Sequence, residues 1–182
     1  MATTLSEIRG VMDHYVIRRA TVGDAADIAR IYNHYIETST ATFDTELKSV
    51  EERQEWIAER SAAHPVVVVQ DAEHQTVAWG SLSPFASRSA WSRTVEVAVY
   101  VAPSHLGQGI GPLVLDHLVH EAVDAGHHVA VSKIVSENEA SLRMTERAGF
   151  ERVGVMREVG RKFDRWLDVV IMQRVLPSEE SS

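Results

Sequence analysis

The chain has 182 residues, 45% of them hydrophobic and 24% charged, with a formal net charge of −8 at pH 7 and no cysteine. That length suffices for one domain with its own core, and the missing cysteines exclude a disulfide framework, a thiolate metal site and covalent thiol catalysis. The acidic balance argues against wholesale nucleic-acid binding, which favours basic surfaces.

Residues 1–12 show little pattern and read as a tail, 13–176 as a single domain, and 177–182 as a second, polar tail. Tyr15–Arg19 reads as a strand. Asp24 to about Thr38 reads as a helix with Ile28, Ile31, Tyr32 and Tyr35 on one side. Ser49-Val50-Glu51-Glu52 has the pattern of a capping box, opening a second helix through about Ala62 that Pro65 breaks. Val66–Gln70 and Val77–Leu82 are predicted strands, joined by a hairpin around Asp71–Gln75. Thr94–Val101 reads as the central strand, Pro112–Ala125 as the third helix and His128–Val135 as a further strand. Asn138 is placed to cap a fourth helix, which Gly149 ends by a left-handed turn. Arg152–Met156 and Leu167–Val175 supply the final strands. The mixture fits an α/β fold, a three-layer α/β/α sandwich around a mixed, mostly antiparallel sheet. No apolar run approaches the roughly 20 residues that span a bilayer, and the N-terminus lacks the layout of a signal peptide, so a cytoplasmic protein is expected.

The stretch from Thr94 to Pro112 carries the most chemistry. A β-branched strand runs into Leu106-Gly107-Gln108-Gly109-Ile110-Gly111-Pro112, with glycine at every second position, and then into a helix whose apolar pairs are Val114/Leu115, Leu118/Val119 and Ala122/Val123. Glycines there let backbone N–H groups turn inward, and a helix N-terminus favours a phosphate or pyrophosphate. The dinucleotide pattern G-x-G-x-x-G does not fit, because Pro112 occupies the last glycine position, and no Gly-Lys-Ser/Thr of a P-loop occurs.

Glu96 stands between Val95 and Val97. Such flanks suggest desolvation, which makes a carboxylate a better proton acceptor; a salt-bridged structural glutamate on a half-exposed face is the alternative. Arg88 lies in a loop eight residues earlier, suited to gripping an acid group through a bidentate pair or simply solvated. Tyr35, Phe43 and Trp91 could wall a pocket or pack the core. His117 and His120 share a helix face, but no third ligand arrives with convincing spacing, so no metal site is expected.

The strand and glycine loop resemble the coenzyme A loop of the GCN5-related N-acetyltransferases, Arg/Gln-x-x-Gly-x-Gly/Ala. Asn138-Glu139-Ala140-Ser141, with its helix ending in Gly149-Phe150, is similar to that family's second cofactor segment. Ile17-Arg18-Arg19-Ala20-Thr21 with Asp24 resembles its opening strand and helix. Ile31 to Phe43, Thr94-Val95-Glu96 and Gly160 to Asp168 are similar to the phosphinothricin and methionine sulfone/sulfoximine N-acetyltransferase branch. The resemblance implies acetyl-CoA as co-substrate, held by Val99, Tyr100, Val101, Gly107, Gln108, Gly109, Ile110, Gly111, Pro112 and Asn138. It implies Glu96 as the base that deprotonates the substrate amine, and Ala86, Ser87, Arg88, Glu96, Tyr35 and Phe43 around a small acidic amine substrate. A homodimer is implied as well; charge and the lack of a long apolar run leave neither nucleic acid nor membrane as an expected partner.

Two residues depart from the family pattern. Leu106 stands where the loop usually carries Arg or Gln, removing a polar contact or loop brace. Thr145 stands where relatives commonly place Tyr or His as the acid for the leaving thiolate. An acetyltransferase for a protein N-terminus or a polyamine is the alternative enzyme, favoured by an acidic pocket. A non-catalytic acetyl-CoA-binding sensor is the alternative of another class.

Overall fold

The structure is a computed structural model describing residues 14–177. The expected tails, 1–12 and 177–182, lie outside the described residues except for Pro177.

Four consecutive valines determine the layering. In β2 (Val66–Gln70) the side chains alternate between faces, as a pleated strand requires. Val67 and Val69 join one core cluster, Val66 and Val68 the other, and all four are buried. A strand buried on both faces needs a helical layer on each side. On one face lie α3 (Ile110–Asp124) and α4 (Glu139–Arg147), contributing Ile110, Val114, Leu118 and Leu142. On the other lie α1 (Ala25–Thr38) and α2 (Val50–Ala58), contributing Ile28, Ile31 and Ile57 around Trp79. The expected three layers are present.

The other strands are β1 (Val16–Arg19), β3 (Thr76–Pro84), β4 (Thr94–Val101), β5 (Val129–Val135), β6 (Glu151–Lys162) and β7 (Arg165–Val175). They form one sheet in the order β1-β2-β3-β4-β5-β7-β6. Every neighbouring pair is antiparallel except β4 and β5, which α3 connects. That parallel pairing covers only Thr94↔Val129, Val95↔Ala130 and Glu96↔Val131. Beyond Glu96 the two strands part, leaving the C-terminal half of β4 without a partner on that side.

Two sequence expectations need correction. The second helix ends at Ala58, not near Ala62. Ile57 is its last buried side chain, so no apolar side chain draws a further turn onto the sheet. The chain continues through tight turns (Arg60 N–H to Ile57 O, His64 N–H to Ser61 O). The penultimate strand runs to Lys162 rather than stopping at Met156. Register shifts between Arg152 and Gly154 and between Met156 and Gly160 break its side-chain alternation, which hides it from a period-two reading. Asp168 steadies the second irregularity by accepting the N–H of Glu158, whose φ is +47°. Among the described residues no helix is long and apolar enough to cross a membrane.

Candidate active site

The wedge between β4 and β5 opens into a cavity of about 790 Å³. Glu96–Val101 form one wall and Ser132–Val135 the other, with the loop from His105 to Gly111 at one end. Asn138, Ser141, Met144 and Thr145 close the side toward α4. Every residue expected to hold the cofactor, from Val99 to Val101, from Gly107 to Pro112, and Asn138, lines this space.

The loop conformation follows from its glycines. Gly107 and Gly109 have φ of +77° and +81°, the left-handed region that L side chains disfavour. Gly109 caps α3, which therefore starts at Ile110, two residues earlier than its proline suggests. Among the described residues the N–H groups of Gly107, Gln108 and Gly109 meet no protein acceptor. Those of Ile110 and Gly111, in the first helical turn, have no intrahelical partner either. This row of free donors at the positive end of a helix fits a pyrophosphate. The brace expected from residue 106 comes from elsewhere: Leu106 is 58% exposed. Gln108 instead accepts from Tyr15 Oη at 2.7 Å and donates to the Ser104 carbonyl at 3.3 Å.

Other polar groups around the wedge are already engaged. Asn138 Oδ1 accepts the Ser141 N–H at 3.1 Å, capping α4. Thr145 is buried, and its hydroxyl donates to the Ser141 carbonyl at 2.8 Å. The Tyr35 hydroxyl donates to the Val101 carbonyl, so that acceptor on the open strand edge is occupied in part. Burial raises the Tyr35 pKa, keeping the phenol protonated.

A second cavity, about 500 Å³, meets the first at Ala41, Glu96, Ala98, Tyr100, Lys133 and Val135. Glu96, Ala98 and Tyr100 share one face of β4. Val95 and Val97 point to the other face, into the core. The valines flanking Glu96 in sequence therefore do not enclose its carboxylate. Its side chain is 31% exposed, and Oε2 lies 2.6 Å from Lys133 Nζ. The desolvated environment expected from the sequence is replaced by a half-exposed ion pair at the junction of two cavities.

The far end of the second cavity is aromatic. Trp79 stacks on Tyr100 at 4.8 Å, and Tyr32 meets both edge-on. Arg53, only 8% exposed, lies over the rings of Tyr32 and Trp56 at 4.5 and 4.9 Å. Burial lowers its pKa and strongly raises that of Tyr100. Asp44 accepts from Tyr32 Oη at 3.0 Å and pairs with Lys48 at 3.4 Å. Phe43 lines this cavity, and its ring occupies the space a Cβ on Gly160 would need. Lys162 Nζ fixes the same segment by donating to the carbonyls of Thr42 (2.9 Å) and Tyr35 (3.3 Å).

The expected substrate loop does not reach these walls. Ala86, Ser87 and Arg88 are exposed and line neither cavity. Arg88 precedes a short 3₁₀ turn, Ser89–Trp91, and Trp91 packs on Phe85 at 5.2 Å. Only the root of the loop approaches the site, with the Phe85 ring 5.8 Å from Lys133 Nζ. His117 and His120 pair with Glu121 and Asp116 of their own helix, and the described residues hold no group of three metal-ligating side chains. Sequence reasoning missed Lys133 and Arg53. A lone lysine in the apolar run from Val129 to Val135 was one available signal. An arginine one helical turn before Trp56 was the other.

The acetyltransferase (GNAT) family profile matches residues 28–150. The phosphinothricin N-acetyltransferase of Streptomyces coelicolor is 38% identical over 163 residues, covering 88% of this chain and 95% of its own length. The L-methionine sulfoximine/L-methionine sulfone acetyltransferase of Salmonella typhimurium is 36% identical over 157 residues, covering 86% and 92%. Among solved structures, yncA of Salmonella typhimurium with its cofactor acetyl-CoA superimposes with a TM-score of 0.87 at 35% identity, covering 93% of this chain and 97% of that one. The family profile covers more than half of the chain and the relatives match most of its length, so the chain belongs to the GNAT family of acetyltransferases.

Proposed function

We propose that the protein transfers the acetyl group of acetyl-CoA to the amine of a small acidic amino acid of the phosphinothricin, methionine sulfone or methionine sulfoximine type. The observation that carries this reading is the meeting of the two cavities at Glu96. One has free amides suited to the phosphates of the donor, and the other has the size of an amino-acid acceptor. The named activities of the Streptomyces and Salmonella relatives point to the same acceptor class.

Both substrates are then held at once, and the amine attacks the thioester directly. The chain has no cysteine to carry an acyl group. Glu96 accepts the proton the ammonium must lose before it becomes a nucleophile. The same ammonium competes with Lys133 Nζ for that carboxylate, so Lys133 is the placeholder that the acceptor displaces. Backbone N–H groups on the unpaired half of β4 stabilise the developing oxyanion. Thr145 is committed to the Ser141 carbonyl, so water supplies the proton to the departing thiolate. Arg88 stands outside both cavities, so its role on the α-carboxylate of the acceptor requires its loop to turn inward from Phe85, whose ring already lies 5.8 Å from Lys133 Nζ. A cytoplasmic homodimer completes the reading, its dimer contact supported by exposed apolar residues along β6 and β7.

The test is a panel of acceptors incubated with protein and acetyl-CoA, followed by thiol release. Phosphinothricin, methionine sulfone and methionine sulfoximine are expected to be consumed. Release only with a polyamine or a peptide N-terminus would assign one of the other enzymes. Acetyl-CoA binding with no release from any amine would make the protein a sensor.

A further inference from the structure

Five charged side chains line the second cavity: Asp44, Lys48, Arg53, Glu96 and Lys133. Asp44 pairs with Lys48 and Glu96 with Lys133. Arg53 is the charge left over. Among the described residues no carboxylate lies within 4.0 Å of its guanidinium, and its enclosed Nε meets no hydrogen-bond acceptor, although the Tyr32 hydroxyl and the Asp44 carboxylate act on its charge. Arg53 lines the cavity wall.

Aromatic stacking does not satisfy such a group. The rings of Tyr32 and Trp56 meet the faces of the guanidinium, whereas its N–H donors lie in its plane and require oxygen acceptors. A buried cation with free in-plane donors suits a planar pair of anionic oxygens. Its position specifies which anion. Arg53 and Glu96 line the same cavity, and Tyr100, two pleats from Glu96 on one face of β4, touches the rings among which Arg53 sits. A group bound there stands several bonds away from an amine at Glu96.

We propose that Arg53 receives the anion at the side-chain end of the acceptor, a phosphinate or a distal carboxylate, and so makes the enzyme selective for doubly acidic amino acids. This rests on the acetyltransferase reading above and adds to it a specificity-determining residue outside the loop of Arg88. Phosphinothricin and methionine sulfone separate the two contributions. They share a carbon chain ending in a methyl group and two oxygens, but phosphorus makes that end anionic and sulfur leaves it neutral.

The experiment measures kcat/KM for both acceptors in the unaltered enzyme, Arg53→Met and Arg53→Lys. The unaltered enzyme should favour the phosphinate. Arg53→Met, which keeps length and apolar contact, should lower kcat/KM for phosphinothricin 10- to 150-fold, the range for a charge-assisted hydrogen bond, and for methionine sulfone only a few-fold. Arg53→Lys keeps the cation without the fork and should fall between. Equal losses on both acceptors would make Arg53 a packing residue. No preference for the phosphinate in the unaltered enzyme would overturn the proposal without any variant, which covers a failure of Arg53→Met to fold. If neither compound is acetylated, the activity reading fails, and calorimetric titration of the two compounds into the coenzyme A-saturated protein still decides on Arg53. Tighter binding of the phosphinate, lost in Arg53→Lys or Arg53→Met, supports the site. Equal binding overturns it.

Discussion

Glu96 shows how far a single residue is legible in sequence. Its position in a strand could be read, and so could its candidacy as a base. Its environment could not, because the valines beside it in sequence belong to the opposite face of the strand, and its real neighbour, Lys133, is 37 positions away on a strand whose pairing no local pattern announces. Glu96→Gln keeps the shape and removes the proton acceptor. It should lower kcat/KM by about 10²–10⁴ while leaving acetyl-CoA affinity, read by calorimetry, nearly unchanged. A loss of only a few-fold would return Glu96 to the role of a structural ion-pair partner. Arg53 was invisible for a related reason: a helix residue facing an aromatic cluster looks the same in sequence whether or not a carboxylate elsewhere neutralises it.

At the scale of elements, legibility followed periodicity. The glycine loop and its helix were readable because composition dictates their backbone; the left-handed φ of Gly109 is what alternating glycines predict. Gly109→Val strains that conformation and places branched carbons at the phosphate end of the wedge. Acetyl-CoA affinity should collapse while the circular dichroism spectrum of the fold persists. The join between β1 and α1 gives a prediction in pH. Asp24 receives Arg18 through two hydrogen bonds of 2.7 and 2.8 Å and Thr21 through two more, and the Arg18 contact holds its carboxyl below the usual range. A carboxylate lowered on folding stabilises the protein above its unfolded value, about 3.9, and loses that contribution as pH falls through the folded one. Asp24→Asn should therefore cost about 1.5–3 kcal/mol at neutral pH, and the difference from the unaltered protein should shrink in urea titrations below pH 4. The long β6 was not legible, since its two irregularities reset the alternation that reveals strands.

At the scale of the molecule, the sheet is asymmetric. Its β1 edge is four residues long, a short edge of the kind that resists unwanted pairing. The β6 edge is twelve residues long, and β6 and β7 together expose Val153, Val155, Val159 and Trp166. The proposed homodimer would place a second copy over this face, covering apolar surface that a monomer leaves in water. Trp166→Glu with Val155→Glu should shift the sedimenting species from dimer to monomer; an unchanged species would place the interface elsewhere.

The brief pairing of β4 with β5 has a thermodynamic consequence. Three residue pairs close the middle of the sheet, and the next stretch of both strands is left as rungs of a ladder without crosspieces. A donor molecule laid along them, as proposed, would complete secondary structure that the chain alone leaves unfinished. Amide hydrogens from Val97 to Val101 facing the gap should exchange quickly in the free protein and slowly once acetyl-CoA is added. Because such a ligand binds the folded chain alone, it adds about 2.7 kcal/mol of stability at a hundredfold excess over its dissociation constant. Resistance to unfolding and proteolysis should therefore rise with the concentration of coenzyme A or its acetyl ester around the protein.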